Sequence, residues 1–309
     1  MSVQPIRALS RRALLIVNAR SRNGKTSLDT AVEGLLRHGI EPDCRDCGSR
    51  NALSPLIAEH GRDVDMIVVG GGDGTLSAAA AGVIAAKRPL GILPTGTAND
   101  LARTLGIPTD LEEALRVIAE GHTRTIDVGS VNDQLFFNVA SIGLSAEVAQ
   151  ELTPDLKRRF GKLGYAVAAM RVLVRPRPFR ARIIGGGRDV VSLTLQVAVG
   201  NGRYYGGGNV VTEAAAIDDG TLDLYSLEFL HAWRLVLMLL SFRRGAHTAK
   251  REVRDLRGPA FEIRTRRPRA VDADGELVTR TPAMFRVLPR AIEVFVPADR
   301  SHDDSPSLP

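Results

Sequence analysis

Residues Val64 to Thr75 read VDMIVVGGGDGT, and the fold can be worked out from this stretch. Met66 to Val69 is a short apolar run with β-branched residues, which is typical of a buried strand in a parallel sheet. The glycines after it predict a turn, and the alanine-rich segment Leu76 to Ala86 predicts a helix. This order of elements favours an anion site, because the backbone can approach a phosphate closely and free N–H groups point at it.

An acidic residue, Asp73, lies inside this turn. A carboxylate beside a phosphate is unfavourable unless it binds a metal ion, a sugar or a proton. An incidental aspartate in a tight turn is the simpler alternative. Ligands of open α/β sheets bind at the carboxyl ends of strands, so four glycines around an acid at such a strand end favour a functional role for Asp73.

The composition is typical of a soluble globular protein with anionic partners. Hydrophobic residues make up 44% and charged residues 25% of the 309 residues, and this length favours two domains. The formal net charge of +6 favours nucleotides, nucleic acid or acidic lipid headgroups as partners. Aromatic residues make up only 5%, which argues against base stacking, so no nucleic-acid partner is expected.

No targeting or membrane-spanning segment is predicted. The apolar run Ala13 to Val17 is too short for a signal peptide, and Phe229 to Phe242 falls short of the ~20 residues of a spanning helix. We therefore expect a cytoplasmic protein, with peripheral contact at the inner membrane and a homodimer both left open. Cys44 and Cys47 lack the context of a zinc or redox site and are interpreted as incidental.

The N-terminal half alternates apolar runs with helix-forming segments, which predicts a parallel sheet with helices on both faces. A strand or loop is expected at Glu41 to Cys47. The expected strands are Ala13 to Val17, Met66 to Val69 and Leu90 to Leu93. The expected helices are Leu28 to His38, Ala52 to Gly61, Leu76 to Ala86, Leu101 to Leu105 and Leu111 to Glu120.

A second polar turn, Pro94-Thr-Gly-Thr-Ala-Asn-Asp100, follows the strand that ends at Leu93. Helix capping by Thr97 or Asn99 would explain it simply. Two polar turns in successive βα units instead favour one shared ligand at the sheet edge. Ala19 to Thr26 resembles a Walker A loop, but alanine replaces its first glycine, so a P-loop is the weaker alternative.

The C-terminal half contains short strand-like runs separated by glycines, which predicts an antiparallel β-sandwich. Helices are expected at Lys162 to Val174 and His231 to Phe242. The expected strands are Ile126 to Val131, Gln134 to Ala140, Arg180 to Ile184, Val190 to Val199, Leu222 to Leu227, Phe261 to Thr265, Arg269 to Leu277 and two runs within Phe285 to Val296. We expect an N-terminal domain over 1–128, a second domain over 129–288, a segment 289–298 that is a candidate to pack back onto the first, and a disordered tail over 299–309.

Several motifs together carry a family resemblance. They are Asn18 with Ser21, Gly24 and Lys25; Gly71-Gly-Asp-Gly-Thr75; the Pro94 to Asp100 turn; Ile126-Asp-Val-Gly129; Phe137-Asn-Val-Ala-Ser-Ile-Gly143; Asn201-Gly202; Gly206-Gly-Gly208; Asp218-Asp-Gly-Thr-Leu-Asp223; and Asp274-Gly-Glu276. In this order they resemble the bacterial diacylglycerol-kinase-like lipid kinases of the YegS type. The resemblance implies an α/β nucleotide-binding domain, a C-terminal β-sandwich, and Mg²⁺-dependent transfer of the γ-phosphate of ATP to a hydroxyl of diacylglycerol, phosphatidylglycerol or a sphingoid-type lipid at the membrane surface.

The resemblance also implies roles for individual residues. Glu276 would accept the proton of the lipid hydroxyl, and Asp73 would act beside it in catalysis, although the choice between Asp274 and Glu276 as the base stays open. Asp219 would bind a metal ion with the backbone carbonyls of Ala216 and Thr221. The nucleotide contacts would be Asn18, Gly71, Gly72, Asp73, Gly74, Thr75, Ser77, Gly96, Thr97, Asn99 and Asp100.

Departures and alternatives remain. Cys44 to Cys47 stands where family members often have a nucleotide-contacting threonine, and Ala19 replaces a common proline, which leaves the phosphate contact of its loop uncertain. A NAD kinase-like enzyme and a non-catalytic nucleotide-binding regulator are the competing functions. The apolar stripe that includes Trp233 would face either a membrane or, more in keeping with such stripes, the core. The arginines that precede Glu276 would meet anionic headgroups or form a solvated edge; they are Arg264, Arg266, Arg267 and Arg269.

Overall fold

The computed structural model describes residues 11–17, 24–151, 177–202, 204–205, 209–210, 216–228 and 253–298. The chain divides into two compact units, Met1–Ile126 with Ala291–Pro309, and Asp127–Arg290. This division falls two residues from each of the boundaries expected at 128 and 288. The helices expected at 162–174 and 231–242, the tail 299–309 and Asn18 lie outside the described residues.

The first unit alternates strands and helices. Its elements are β1 (Arg11–Val17), α1 (Gly24–Arg37), β2 (Ile40–Cys44), α2 (Leu53–His60), β3 (Met66–Gly71), α3 (Asp73–Ala86), β4 (Leu90–Pro94), α4 (Asp100–Thr104) and α5 (Leu111–Glu120). Short 3₁₀ turns occupy Arg50–Ala52 and Gly61–Asp63.

The strands of the first unit form a parallel sheet in the order β2-β1-β3-β4. All residues of β3 and β4 are buried, as strands covered by helices on both faces require. Helix α1 packs with α5, and α2 packs with α3. Right-handed crossovers place these two pairs on opposite faces of the sheet, so the predicted α/β architecture is confirmed.

The predicted glycine turn after β3 is shorter than expected. Gly70 and Gly71 continue the strand, because they pair with Leu93 and Pro94 of β4. Helix α3 begins at Asp73 rather than near Leu76, with Gly72 as its N-cap residue. The acidic residue of the motif therefore lies in the first turn of a helix, where the partial positive charge of the helix N-terminus favours a carboxylate.

The second unit begins at Asp127, within the strand Thr123–Val131 whose first residues belong to the first unit. Its elements are β5 (Thr123–Val131), β6 (Gln134–Phe136), β7 (Val139–Gly143), α6 (Leu144–Glu151), β8 (Phe179–Gly185), β9 (Arg188–Thr194), β10 (Gln196–Gly200), β11 (Tyr204–Tyr205), β12 (Asn209–Val210), β13 (Leu222–Leu227), β14 (Val253–Gly258), β15 (Ala260–Thr265), β16 (Ala270–Ala273), β17 (Glu276–Arg280) and β18 (Ala283–Phe295). The chain returns to the first unit within β18.

Two sheets of this unit enclose one core. The first runs β18-β15-β8-β9, with β5 beside β18, and the second runs β14-β13-β10-β7-β16-β17. Their shared core contains Phe136, Phe179, Phe261 and Phe285 together with aliphatic residues from both sheets. Burying one such side chain contributes about 1.5–3 kcal/mol. The predicted antiparallel sandwich is confirmed.

Three segments that were expected to be single strands are divided. Val190 to Val199 forms β9 and β10, which belong to different sheets, and the Thr194 hydroxyl hydrogen-bonds with the backbone of Gln196 at the change of sheet. Gln134 to Ala140 forms β6 and the start of β7, and Arg269 to Leu277 turns back on itself as β16 and β17. A polar contact or a tight turn interrupts the ladder at these points, which an apolar run does not reveal.

Other differences concern β18 and four elements of the second unit that were not expected. The runs around Pro289 form one strand, within which Arg290 has a positive φ of +52°. The short strands β11 and β12, strand β14 and helix α6 were not predicted. Helix α6 follows β7 directly after Gly143, whose φ is +108°, so the change from strand to helix takes a single residue.

Candidate active site

The two polar turns of the first unit touch through glycines. A Cβ atom added to Gly96 would lie 2.4 Å from the Cα atom of Gly72, and the backbone N–H of Thr95 donates to the carbonyl of Gly71 over 3.2 Å. A contact this close excludes any side chain at Gly96 without movement of the backbone. The two glycine-containing motifs, distant in sequence, therefore form one continuous surface at the carboxyl ends of β3 and β4.

Asp73 joins the helices that begin at these turns. Its Oδ1 accepts a hydrogen bond of 3.0 Å from the backbone N–H of Leu101, in the first turn of α4. The residue that starts α3 thus caps α4, which is the role that a side-chain oxygen plays at a helix N-terminus. The hydrogen bond fixes the two helix N-termini beside each other, where both contribute partial positive charge.

Asn99 shapes the second turn from inside. Its φ of +52° is left-handed, and the residue is only 7% exposed. The amide oxygen accepts from the N–H of Gly96 over 3.0 Å, while the amide nitrogen donates to the carbonyls of Pro94 and Gly96. Asn99 therefore holds the turn, and the hydrogen bonds of its amide are directed at the backbone rather than outward.

The remaining expected nucleotide contacts lie around this surface. Thr97 is exposed at the tip of the second turn, and Asp100 is buried at the start of α4. The backbone N–H of Thr75 donates to the carbonyl of Gly72, and the hydroxyl of Ser77 donates to the carbonyl of Asp73. A Cβ at Gly71 would lie 2.5 Å from that of Thr75, so the strand end packs on the first helical turn.

The sequence reasoning missed Arg50 at this edge. Its guanidinium lies against the first turn of α3, since a Cβ added to Gly74 would be 3.3 Å from the Nη1 atom of Arg50. Arg50 is exposed in the 3₁₀ turn that follows β2. The carboxyl end of β2 lies at the same sheet edge as those of β3 and β4, and this topology is the signal that would have found it.

The second unit contains the Asp274 hairpin, which connects β16 to β17. Asp274 and Gly275 have φ values of +47° and +86°, as a two-residue type I′ turn requires. The Asp274 carboxylate accepts from the backbone N–H groups of Phe137, Asn138 and Val139 at 2.8–3.1 Å. Asp274 thus fastens the hairpin to the break between β6 and β7, and explains why that segment is divided.

Glu276 is exposed at the start of β17, directly after this turn. Asp272 pairs with Leu277 in the β16–β17 ladder and is only 3% exposed. Burial, and then the charges of Asp274 and Glu276, raise the pKa of Asp272 to about 8. The hairpin therefore carries a buried carboxyl that favours its neutral form beside an exposed carboxylate.

Asp127 connects several of the family motifs within the second unit. It is 1% exposed, and its carboxylate accepts from the N–H groups of Gly220 and Arg290 over 2.6 and 2.7 Å. The side chain of Asn201 donates to the carbonyls of Asp127 and Phe137. These polar residues hold the sandwich loops together. The sequence indicated the short motifs that contain Asp127 and Asn201, but not the contacts that these residues make.

In the loop expected to bind a metal ion, Asp219 pairs with the guanidinium of Arg257. The Oδ1 atom of Asp219 accepts from both the N–H and the hydroxyl of Thr221, and its Oδ2 accepts from the guanidinium of Arg257. No cluster of three metal-ligating side chains occurs in the described part of the chain. Both carboxylate oxygens of Asp219 accept hydrogen bonds from within the protein, and the metal site at Ala216, Asp219 and Thr221 stays a prediction.

Each half of the chain matches a known protein family. Residues 12–131 match the diacylglycerol kinase catalytic domain. Residues 138–296 match the YegS C-terminal NAD kinase beta sandwich-like domain. The chain belongs to the YegS-type diacylglycerol-kinase-like family. This membership agrees with the resemblance derived from the motifs.

Relatives of this YegS-type chain are similar over nearly its full length. A "Probable lipid kinase YegS-like" from Stenotrophomonas maltophilia (strain K279a) is 32% identical over 298 residues, covering 92% of this chain and 96% of the relative. A diacylglycerol kinase from Staphylococcus aureus (strain MRSA252) is 32% identical over 299 residues, covering 94% of each. The crystal structure of a diacylglycerol kinase from Bacillus anthracis str. Sterne superposes with a TM-score of 0.72 at 25% identity, covering 94% of this chain and 98% of that one. Membership of the YegS-type family supports lipid kinase activity in general.

Proposed function

We propose that the protein is an ATP-dependent lipid kinase, which transfers the γ-phosphate of ATP to a hydroxyl of diacylglycerol, phosphatidylglycerol or a sphingoid-type lipid. The observation that carries the proposal is the hydrogen bond from Leu101 to Asp73, which joins two glycine-containing turns and two helix N-termini into one surface. Such a surface suits the phosphates of a nucleotide, since its backbone N–H groups and partial charges attract anions. The family supports the lipid as acceptor.

In this proposal the nucleotide phosphates lie on Gly71 to Thr75 and on the turn at Gly96 and Thr97. Arg50, against Gly74, adds a positive charge that neutralises phosphate oxygens. Asn99 and Asp100 act on the shape of the turn, because Asn99 is buried and directs its amide at the backbone.

Mg²⁺ enters the proposal with ATP, as the counter-ion of the nucleotide phosphates, where it would neutralise the charge that builds up during transfer. No step is assigned to a metal ion at the Asp219 loop, because Arg257 occupies that carboxylate. Asp73 is proposed to position the phosphates by keeping the starts of α3 and α4 together, so its effect on the rate would come through geometry.

The proposed base is Glu276. The hydroxyl of the lipid loses its proton to the Glu276 carboxylate, its oxygen bonds to the γ-phosphorus, and the bond from that phosphorus to the bridging oxygen breaks, which releases ADP. Glu276 is exposed, whereas the carboxylate of Asp274 is held by three backbone N–H groups. Exposure supports Glu276 as the proton acceptor, and the hydrogen bonds support Asp274 as the residue that orients the turn.

A lipid acceptor would be located in a membrane, so the proposed reaction takes place at a membrane surface. Among the described residues, the helices are too short or too polar to cross a bilayer. We propose peripheral contact of an otherwise cytoplasmic protein with the inner membrane. The homodimer stays a prediction.

The test is a transfer assay with γ-labelled ATP and Mg²⁺, offered diacylglycerol, phosphatidylglycerol, a sphingoid base and NAD in separate reactions. We expect label in one of the lipids and none in NAD. Glu276→Gln serves as the inactive control, because it keeps size and hydrogen bonding but cannot accept the proton. Label in NAD, or in no acceptor while ATP binds, would refute the lipid kinase proposal.

A further inference from the structure

The second unit contains a cavity that the proposed reaction does not use. Its volume is about 250 Å³, and three of its lining residues are the arginines Arg267, Arg269 and Arg280. Glu147, near the start of α6, lines the same cavity. The cavity lies at the end of the β16–β17 pair away from the Asp274 turn, where Ala270 pairs with Arg280.

The three arginines differ in exposure and in ion pairing. Arg269 is fixed, because its Nη1 lies 3.2 Å from Oε1 of Glu147 and its guanidinium lies 4.1 Å from the centre of the Phe179 ring. Its side chain is 26% exposed. Arg267 and Arg280 are exposed, and neither has a carboxylate within 4.0 Å among the described residues. A fixed guanidinium and two unneutralised ones therefore surround the cavity.

The charge of the cavity identifies the class of ligand. Three arginines and one glutamate line the cavity, and Glu147 is already paired with Arg269. Guanidinium groups bind phosphate oxygens in bidentate geometry, and a phosphate offers several oxygens to several arginines at once. The volume is below the ~300–1,000 Å³ of typical drug-sized ligand sites, which favours a small anion or one headgroup.

We propose that this cavity binds a phosphate ester group, with Arg267 and Arg280 as the binding residues and Arg269 as a preorganised third contact. The group comes either from the headgroup of a phospholipid or from a small soluble phosphate. The proposal goes beyond the kinase reaction, since binding here requires neither ATP nor turnover. It also gives a specific role to two of the arginines that precede Glu276, while Arg264 pairs with Glu262 instead.

The experiment compares two double variants that each remove two positive charges. Arg267→Gln with Arg280→Gln alters the cavity, and Arg264→Gln with Arg266→Gln alters exposed neighbours that do not line it. Calorimetric titration with glycerol 1-phosphate measures the soluble ligand. Co-sedimentation with phosphatidylcholine vesicles, with and without phosphatidic acid, measures the lipid headgroup.

We expect the cavity variant to bind glycerol 1-phosphate about tenfold more weakly than wild type, since charge-assisted hydrogen bonds are lost, while the neighbour variant keeps wild-type affinity. A parallel loss of binding to phosphatidic acid vesicles identifies the lipid as the source, and unchanged vesicle binding identifies a soluble phosphate. Equal effects of both double variants would show diffuse charge rather than a site and would overturn the proposal. No binding of either probe by the wild type would overturn it as well, whatever the transfer assay shows.

Discussion

Asp272 offers a test of the electrostatics of the hairpin. The substitution Asp272→Asn keeps the shape of the side chain and removes its ability to ionise. Asp272 is 3% exposed, and its Oδ1 has no hydrogen-bond partner among the described residues. Burial, reinforced by Asp274 and Glu276, raises the pKa of its carboxyl to about 8. Ionisation of this carboxyl in the folded state is therefore unfavourable.

The sign and size of the effect follow from the two pKa values. The folded-state pKa of about 8 lies about 4 above the ordinary value of 3.8, and 1.36 kcal/mol for each pKa unit gives a ceiling of about 6 kcal/mol. Between those pKa values the folded protein holds a proton that the unfolded chain has released. The free energy of unfolding therefore falls as pH rises from about 4 to about 8. Asparagine has no such loss, so the stability of Asp272→Asn relative to wild type should increase by a few kcal/mol between pH 5 and pH 9.

Urea unfolding of both proteins at the two pH values measures this difference. Asp189→Asn is the matched control, because Asp189 is exposed and its hydrogen bond from Arg182 lowers its pKa. The control should show no gain in stability at high pH. If Asp272→Asn changed the free energy of unfolding equally at both pH values, the carboxyl would not carry the proton that the argument requires.

Four further substitutions address the site. Asp73→Ala should lower kcat/KM at least tenfold and weaken the capping of α4 by about 1 kcal/mol, seen as a small loss of Tm; wild-type turnover would contradict its positioning role. Glu276→Gln should reduce kcat by at least ~10²-fold at unchanged Tm. Asp274→Asn should instead lower the free energy of unfolding by about 1–3 kcal/mol, because backbone N–H donors are left unpaired. If Asp274→Asn lost kcat and Glu276→Gln lost stability, the two residues would exchange roles. Arg257→Met should leave the charge of Asp219 uncompensated and make Tm rise with added Mg²⁺; an equal rise in wild type would show that Arg257 does not take the place of the metal.

The sequence predicted the elements that are determined by neighbouring residues, such as buried strands and glycine turns. Buried β-branched runs located β1, β3 and β4, because a strand covered on both faces needs apolar residues throughout. Glycines at the ends of β3 and β4 located the two turns that meet. The roles of Asp73 and Glu276 came from the motifs and stay predictions.

The rest depended on contacts between distant segments. Arg50 reaches Gly74 only because β2 lies in the same sheet as β3. The change of sheet at Leu195 and the break at Phe137 are invisible in an apolar pattern. They depend on hydrogen bonds that the N–H groups of Leu195 and Phe137 donate to the carbonyl of Leu227 and to the carboxylate of Asp274. Asp127 appeared as one member of a short motif, although its partners lie about 90 to 160 residues away in sequence.

The return of the chain through β18 limits how the protein can be divided. Val294 pairs with Leu90 of β4 in parallel, and the N–H of Val296 donates to the carbonyl of His122. A truncation after Ile126 would remove this segment and leave β4 as an open edge, which invites pairing with other chains. A stable, isolated first unit would therefore need residues 291–298 rejoined through a linker, and shortening the protein from its C-terminal end should produce aggregation before it produces a smaller folded domain.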